Sequence, residues 1–538
     1  MSSRRNIEDI QPLTPQQQGF LLDSLRPSGG GAGHVIMEVS LSGRLDPSRF
    51  EASWRATVSR HQALRSTIHW EDLPKPIQVV HKSVDVEVYA GASSELTFEE
   101  RLALARAEAK KPFALNKAPN LRLRIVSDGV GEHRLLWASH HILIDGWSAA
   151  IVLNEVLEHY NSNGNPGSRP TLPSVRQYLA WRAKTDAQAE RSTWAELLAD
   201  VSARGEWWPS GRRELEMSVS NVALAPLEGP LQRFAAAARI TVGTAVQAAW
   251  AITLARLKGS QDILFGNVVS GRSGDLPNLD GMVGLLANPL PVRLTLAELD
   301  TFDDLCARLH AIARRVAPYE NTDFGKLREW GILESANAID SLLAFENFPV
   351  AETGQVNQKT GLSLRGFEGG LSTGYPVTGA VMPSPLEVRV QSLTHPSVPD
   401  AATIGRLFAD VLAWGVTSPK EALAQAPAVP SREAPARGSS DSVPDVVIEK
   451  RYPSRPIEVH LAKLWEHVLG VRRIGVNENF FDLGGTSLSA VELFEEVHRQ
   501  FKRRLPLDAL WVTSGTIEDV AALIEADETQ TDWPVLVE

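Results

Sequence analysis

A stretch rich in proline, serine and alanine, residues 426–452, divides the chain into two unequal parts. It includes the run APAVPSREAPARGSSDSVP and has no hydrophobic period. This composition favours a tether of mixed stiffness, with an ordered surface loop as the alternative. The part before the tether is too long for one ordinary core, whereas the part after it suits one small domain. We therefore predict a large N-terminal part, a linker and a small C-terminal domain.

The part after the tether has the pattern of a small helical bundle. Two apolar stripes recur at helical spacing, formed by Ile457, Leu461, Leu464, Trp465 and Val468 and then by Ala490, Leu493, Phe494, Val497 and Phe501. Gly470 is placed to end the first helix. Pro506 interrupts the chain before a last short helix at residues 517–525. We predict an all-α domain over residues 453–528 and a tail at 529–538.

The first 425 residues alternate between strand-like and helix-like runs. Residues 35–41, 134–139 and 263–269 are β-like, and residues 148–160 carry a helical apolar face. Strands that alternate with helices over this length predict a mixed α/β protein. We expect two lobes, over residues 1–175 and 176–425.

Composition narrows the classes of function. The formal net charge is −11, which argues against a surface that binds nucleic acid or an anionic membrane. No apolar run is long enough to span a membrane, and no apolar segment follows the first residues as in a signal peptide. The lone cysteine, Cys306, suits a reducing compartment, and we expect a cytoplasmic protein. We interpret Cys306 as a buried small apolar residue, with a catalytic thiol as the alternative.

The string SHHILIDGWS, residues 139–148, carries the most informative chemistry. It joins a predicted strand to a predicted helix, a position where a rigid scaffold holds polar groups. Its two histidines and one aspartate allow a metal site, a purely structural pair, or acid/base work. In the acid/base interpretation a histidine handles a proton and Asp145 anchors the loop by pairing with a buried arginine. Gly146 would leave room for a substrate arm to approach the backbone.

This string resembles the His-His-x-x-x-Asp-Gly signature of condensation domains in nonribosomal peptide synthetases. Further strings resemble other motifs of that family and follow in the family's order. They are LTPQQQGFL (13–21), RHQALRST (60–67), YLAW (178–181), FGNVVSGR (265–272), VGLLANPLPVR (283–293) and LAFENFP (343–349).

The resemblance implies two chloramphenicol-acetyltransferase-like lobes and an acyltransferase that forms amide bonds. His141, preceded by His140, would position the acceptor amine and manage its proton. Asp145 would be structural, with Arg272 as its ion-pair partner and Arg65 as the less favoured choice. We interpret Arg65, like its neighbours Arg60 and His61, as scaffold.

The string NFFDLGGTSL, residues 479–488, precedes the second helix of the small domain. It resembles the phosphopantetheine attachment motif of peptidyl carrier proteins, which implies a covalent 4′-phosphopantetheine on Ser487. That serine also suits a helix cap, and the two roles are compatible. The family often has histidine before the serine, whereas this chain has Thr486, a departure that bears on the choice of partner. We therefore expect the order condensation domain, then carrier domain.

The resemblance also sets expectations about partners. The tether is too short for an adenylation domain, so we expect a stand-alone or upstream adenylation enzyme to charge the carrier in trans. A phosphopantetheinyl transferase would install the arm, and another carrier protein or an acyl-CoA would bring the donor. Alternatives are an ester-forming domain and a non-catalytic module that docks partners while its carrier shuttles an acyl group.

Overall fold

The computed structural model describes most of the chain. The described residues are 6–25, 33–71, 73, 75–89, 96–201, 205–208, 216–333, 338–348, 361–369, 373–429, 450–469, 471–480, 483, 485, 487–503, 505–506 and 509–526. Within these ranges the side chains of Asp23, Glu368, Ser487, Leu488, Val491, Glu492, Glu495, Trp511 and Val512 are not described. Backbone contacts divide the chain into two compact units.

The first unit comprises the described residues of Met1–Thr185, Ser270–Asn288 and Phe348–Ser372. Its elements are β1 (Ile7–Pro12), α1 (Pro15–Ser24), β2 (His34–Gly43), α2 (Pro47–Arg60), β3 (Ser66–His69), β4 (Ile77–His81), β5 (Val88–Tyr89), α3 (Phe98–Ala109), β6 (Leu121–Ser127), β7 (Glu132–His140), α4 (Gly146–Asn161), α5 (Val175–Arg182) and β12 (Leu362–Gly369). A five-stranded sheet has the order β12-β2-β7-β6-β5, and a three-stranded sheet has the order β1-β4-β3.

Large aromatic side chains form the core of the first unit between its sheet and its helices. Trp54 of α2 packs edge-on against Trp137 of β7, with ring centroids 5.0 Å apart. Phe50 on the same face of α2 packs against Tyr160 of α4 at 6.0 Å. These contacts bury apolar surface that helices of this amphipathic pattern must cover. They also hold α4, and hence the loop that precedes it, against the centre of the sheet.

The second unit comprises the described residues of Asp186–Val269, Pro289–Asn347 and Thr373–Glu538. Before the tether its elements are α6 (Ala187–Leu197), β8 (Met217–Ala223), α7 (Glu228–Ala238), α8 (Val242–Lys258), β9 (Asp262–Val269), β10 (Asn288–Thr295, whose first residue belongs to the first unit), α9 (Phe302–Val316), α10 (Phe324–Glu329), β11 (Ser341–Phe345), β13 (Val377–Pro383), β14 (Leu386–Leu393) and α11 (Ala401–Thr417). A six-stranded sheet has the order β10-β9-β11-β13-β14-β8, and helix α8 is buried along most of its length.

The carrier region of the second unit consists of helices α12 (Pro456–Leu469), α13 (Ser487–Phe501), α14 (Ala509–Val512) and α15 (Ile517–Glu525). Both predicted apolar stripes lie inside helices and are largely buried. Gly470, predicted to end the first helix, lies outside the described residues, as do residues 430–449 of the tether and all of the predicted tail.

The division into contiguous lobes at residues 175 and 176 differs from the structure. Helix α5, at that boundary, belongs to the first unit, and residues 270–288 and 348–372 return to it from later in the chain. The returning segments are held there by specific pairing, since β12 forms a ladder with β2 and Arg272 pairs with Asp145. Linear spacing cannot reveal such returns.

Cys306 is a buried free cysteine on α9, as predicted. Burial raises the pKa of its thiol to about 12. The thiolate, which is the nucleophilic form, is therefore scarce at neutral pH, and a catalytic thiol is disfavoured.

No single described helix is both long and apolar enough to cross a membrane. The helical segments 225–238 and 242–258 reach the length and apolar composition of a membrane span only when they are taken together, and the pair is bent by 105°.

Candidate active site

The histidine loop, residues 140–145, joins the central strand β7 to helix α4. Asp145 is the N-cap of α4, and its Oδ1 accepts a hydrogen bond from the Ser148 N–H at 2.8 Å. The cap makes the helix begin at Gly146, two residues before the apolar pattern begins. A carboxylate at this position satisfies a free N–H of the first turn and interacts favourably with the helix dipole.

Asp145 and Arg272 form a buried ion pair. Arg272 Nη1 donates to Oδ2 at 2.9 Å and Nη2 donates to Oδ1 at 3.1 Å. The N–H groups of Leu286 and Ala287 also donate to Oδ2, each at 2.9 Å. The carboxylate is therefore occupied by a bidentate arginine and three backbone donors, the third being Ser148. This arrangement makes Asp145 a structural anchor.

The electrostatics of Asp145 follow from these contacts. Burial acts to raise the pKa of its carboxyl, but the charge and hydrogen bonds of Arg272, with the Ser148 and Leu286 N–H groups, hold the pKa below its usual value. A depressed carboxyl pKa contributes stability above the unfolded pKa of about 4, and that stability is lost as pH falls through the folded value. The pair is thus fully charged and stabilising at neutral pH.

Ser148, which the sequence reasoning did not single out, completes the anchor. Its hydroxyl accepts from Arg272 Nη2 at 2.7 Å and from the Gly284 N–H at 2.9 Å, and donates to the Gly284 carbonyl at 2.8 Å. Segment 270–288 is thereby fastened to the start of α4. The sequence did offer one sign of this role, a serine in the first turn of an apolar helix. A buried hydroxyl, such as that of Ser148, normally needs hydrogen-bond partners.

Removal of the Asp145 carboxylate should destabilise the protein rather than affect chemistry alone. Asp145→Ala leaves Arg272 buried without its counter-charge, which typically costs about 3–5 kcal/mol. We expect a clear drop in melting temperature, and an Asp145→Ala/Arg272→Met double variant should lose less than the two single variants summed. Thermal denaturation of the full chain measures both. A normal melting temperature with lost activity would instead assign Asp145 a catalytic role.

His141 is only half-buried, but one of its two ring nitrogens lies in the interior. The side chain is half-buried, and its Nδ1 atom is buried without a hydrogen-bond partner of good geometry among the described residues. A neutral imidazole carries one proton and leaves its other ring nitrogen able to accept a hydrogen bond.

The surroundings of His141 keep it neutral. Burial lowers the pKa of the imidazole below its usual value, and the negative charge of Asp145 opposes that change only in part. The main-chain N–H of His141 donates to the Gly33 carbonyl at 2.7 Å. Gly33 has φ 74°, and a Cβ there would lie 2.6 Å from the His140 ring. Only glycine fits between the strand end and the two histidines.

The other predicted residues lie at separate places. Arg65 pairs with Glu8 at 2.6 Å and donates to the His81 carbonyl, so it is not the partner of Asp145. His61 contacts Glu155 of α4 at 3.0 Å, and Arg60 contacts the same carboxylate at 3.2 Å. These contacts link α2 to α4 and fit the scaffold interpretation.

The expectation about Gly146 needs correction. The Phe348 ring lies where a Cβ at position 146 would sit, with its nearest atom 2.4 Å from that point. The close approach that requires glycine is therefore made by Phe348, and the expected room for a substrate arm is occupied by that ring. No sequence pattern signals this contact, because Phe348 returns to the first unit from a distant part of the chain.

Metal binding finds little support at the histidine loop. Within the described part of the chain, no cluster of three or more histidine, cysteine, aspartate or glutamate side chains is placed to hold a metal ion. The polar atoms of Asp145 and His140 are engaged in the hydrogen bonds that hold the loop.

In the carrier region, Ser487 is the first residue of the 15-residue helix α13. The loop before it is anchored by Phe480, which is fully buried and packs edge-on against Trp465 at 5.8 Å. The Gly485 N–H donates to the Phe480 carbonyl at 3.0 Å, and a Cβ on Gly485 would lie 2.3 Å from the Phe480 ring. The loop thus requires glycine two residues before Ser487.

This arrangement fits attachment of a phosphodiester. Free N–H groups at a helix N-terminus and the helix dipole favour a negative group there. Ser487 stands at that end of α13, and the Phe480–Gly485 contact holds the preceding loop close to the core.

Comparison with known families agrees with these features. The family model described as Condensation domain matches residues 7–373. The chain belongs to the condensation domain family. A second family model, Phosphopantetheine attachment site, matches residues 460–524. The chain is thus a condensation domain followed by a carrier domain of the kind that holds covalent 4′-phosphopantetheine, in the predicted order.

Sequence relatives of this condensation domain include parts of much longer synthetases. Tyrocidine synthase 2 from Brevibacillus parabrevis is 29% identical over 406 residues, which cover 71% of this chain and 11% of that protein. Chondramide synthase cmdD from Chondromyces crocatus is 31% identical over 352 residues, which cover 64% of this chain and 9% of the relative. The chain spans only a small fraction of the length of these relatives.

Solved structures share the fold. The condensation domain from Monacolin K polyketide synthase MokA matches with a TM-score of 0.63 at 16% identity, over 78% of this chain and 100% of that chain. The first condensation domain of the calcium-dependent antibiotic synthetase, in complex with a substrate analogue, matches with a TM-score of 0.62 at 19% identity, over 78% and 99%. The mixed α/β fold of condensation domains is thereby established, together with a helical carrier domain.

Proposed function

We propose that this condensation domain forms an amide bond between an acyl thioester donor and an amine held on its own carrier domain at Ser487. The observation that carries the proposal is the state of His141: its ring is half-buried, and burial lowers its pKa so that the imidazole is neutral at neutral pH. We assign Nε2 to the reactant because Nδ1 lies in the interior. As the amine nitrogen bonds to the thioester carbon, the carbon–sulfur bond breaks and the donor's thiolate leaves. The amine must lose a proton, which then neutralises the thiolate. His141 Nε2 is the acceptor for that proton.

The remaining residues of the site support His141 rather than share its role. Asp145, with Arg272, fixes the end of the loop at the start of α4. His140 faces the interior, where it bonds to Ser24 and to the Ile142 N–H. We assign Asp145, His140 and Gly146 to the shape of the loop and His141 to the chemistry.

The demand on the domain is modest because a thioester is already activated. Placing two tethered reactants in line converts a bimolecular step into an effectively unimolecular one, and this supplies much of the acceleration. A 4′-phosphopantetheine arm on Ser487 would supply the thiol that carries the acceptor as a thioester. The start of α13, where Ser487 lies, would hold that arm.

We propose that an adenylation enzyme charges the carrier and that a phosphopantetheinyl transferase primes it. The donor is an acyl or peptidyl thioester on another carrier protein or on coenzyme A.

Delivery of the acceptor by the chain's own carrier predicts a dependence on the tether. A protease site is inserted into residues 426–452, the protein is primed with an aminoacyl arm, and a donor thioester is added. A flexible tether gives an effective concentration near the millimolar range, so cleavage at about 1 µM protein should slow product formation by about 100-fold or more. Intact-protein mass spectrometry of the carrier domain measures the product.

The uncut protein with the same insertion is the matched control. It should retain the rate of the original chain, because the insertion only lengthens the tether. Equal rates before and after cleavage would show that the carrier does not deliver the acceptor to its own condensation domain. An absence of amide product in the uncut, fully primed protein with every donor class would contradict the proposed function itself.

A further inference from the structure

His140 is held in one tautomer by two hydrogen bonds. The Ile142 N–H donates to His140 Nδ1 at 3.2 Å, so Nδ1 carries no proton. The proton of the neutral ring therefore lies on Nε2, which is 2.8 Å from the Ser24 hydroxyl oxygen. His140 donates this bond and Ser24 accepts it. Helix α1 is thereby joined to the histidine loop through a buried imidazole.

The Ser24 hydroxyl continues the connection to Phe20. Its proton is donated to the Phe20 carbonyl at 2.7 Å, one turn earlier in α1. The Phe20 ring in turn stacks on the His141 imidazole, with ring centroids 4.8 Å apart and planes inclined by 11°. A continuous set of contacts thus runs from His140 through Ser24 and Phe20 to His141.

We propose that Phe20 and Ser24 are positioning residues for His141. The Ser24–His140 bond fixes α1 against the loop, and the Phe20 ring on that helix holds the imidazole in the orientation from which Nε2 meets the acceptor amine. This inference rests on the proposed function, since it concerns how the same histidine is aligned. It also gives His140 a specific task.

The parallel stacking of Phe20 on His141 constrains the imidazole more than ordinary core packing does. Parallel stacking covers one face of the imidazole and restricts its rotation, and an aromatic pair of this kind favours a defined ring placement. Besides burial, the charged group that acts on the pKa of His141 is Asp145, which raises that pKa and is itself paired with Arg272. Loss of the Phe20 ring would admit water to that face and ease protonation of the imidazole.

Phe20→Ala and Phe20→Tyr test the stacking contact in the full, primed chain. With Ala, kcat for amide formation should fall by about two- to tenfold with little change in KM. The midpoint of the acid limb of the pH–rate profile should also move upward, toward the usual histidine value. Phe20→Tyr retains an aromatic ring and should show the kcat and the pH–rate profile of the original chain. The donor is an acyl thioester of a carrier protein, and single-turnover product is followed by mass spectrometry.

Ser24→Ala tests the connection to His140, and Ser53→Ala is its matched control. Ser53 of α2 makes the same bond to the carbonyl one turn earlier, that of Arg49, at 2.8 Å, and it lies on a different helix from Ser24. Ser24→Ala should lower kcat and shift the acid limb as Phe20→Ala does, and Ser53→Ala should do neither. Ser24→Thr retains the hydroxyl and should preserve activity.

Several outcomes would overturn the inference. Phe20→Ala and Ser24→Ala could lower the melting temperature while kcat per folded molecule and the pH profile stay unchanged, which would make both residues purely structural. A rise in KM without a fall in kcat would make Phe20 a binding residue. The original chain serves as the reference, because loss of amide formation there contradicts the proposed function and not the positioning role.

Discussion

His141→Ala should lower the rate of amide formation by about 100- to 10,000-fold, the usual contribution of a positioned general acid or base. Priming and charging of the carrier should be unaffected, because the arm is attached in the separate carrier region. The measurement is single-turnover formation of the amide on the carrier, followed by intact-protein mass spectrometry. A domain that only docks partners would lose nothing in this variant.

Two controls make the result specific. His395 of the second unit contacts Ser397, far from the histidine loop in the chain, and His395→Ala should leave the rate unchanged. The melting temperature of His141→Ala should stay close to that of the original chain, because the Nδ1 atom of His141 makes no hydrogen bond of good geometry within the described residues. A large loss of stability would assign His141 to the scaffold.

The pH dependence of the reaction follows from the same geometry. Burial lowers the pKa of His141, so the neutral, proton-accepting form persists below the usual histidine value of about 6.5. The rate should be level from about pH 8 down to about 6.5 and fall only at lower pH. An acid limb centred above about 6.5 would contradict the assignment of His141 as the proton acceptor.

The local structure of the site was accessible from sequence because it depends on neighbouring residues. Strand β7, the loop and helix α4 follow from an apolar strand, a polar turn and a helical stripe, and the observed helix starts at Gly146 because Asp145 caps it. The carrier helices follow from their apolar spacing in the same way, although the short helix α14 carries too few residues to show a period.

Contacts between residues distant in the chain lie beyond what local sequence patterns can predict. Arg272 was chosen as the partner of Asp145 from a family resemblance, and no spacing rule links two residues separated by 127 positions. The contact of Phe348 with Gly146 and the stacking of Phe20 on His141 both arise where segments distant in the chain pack together. The predicted contiguous lobes differ from the division by backbone contacts for the same reason, since residues 270–288 and 348–372 belong to the first unit.

Ser487→Ala should abolish modification of the carrier domain. A phosphopantetheinyl transferase with coenzyme A should add one arm to the original chain and none to the variant, because only the serine hydroxyl can form the phosphodiester. The helix should persist, since loss of a hydroxyl at a helix start costs about 1 kcal/mol. Intact-protein mass spectrometry reads the added mass directly, and circular dichroism checks the helix content.

Ser489 provides the matched control for this site. It lies on the same helix, two residues further, and its side chain is fully buried. Ser489→Ala should therefore be modified as the original chain is. Survival of the mass shift in Ser487→Ala, with the arm mapped by peptide fragmentation to another residue, would move the attachment site.

The same variant separates the two halves of the proposed function. Because Ser487→Ala removes the tethered acceptor without changing the histidine loop, the condensation domain should still accept a soluble aminoacyl thioester, although slowly. Loss of the tether forfeits the effective concentration that the carrier supplies, so the rate should rise with added acceptor instead of being independent of it. The His141→Ala variant should fail with tethered and soluble acceptors alike. A Ser487→Ala protein that is inactive at every acceptor concentration would mean that the carrier domain does more than deliver the amine.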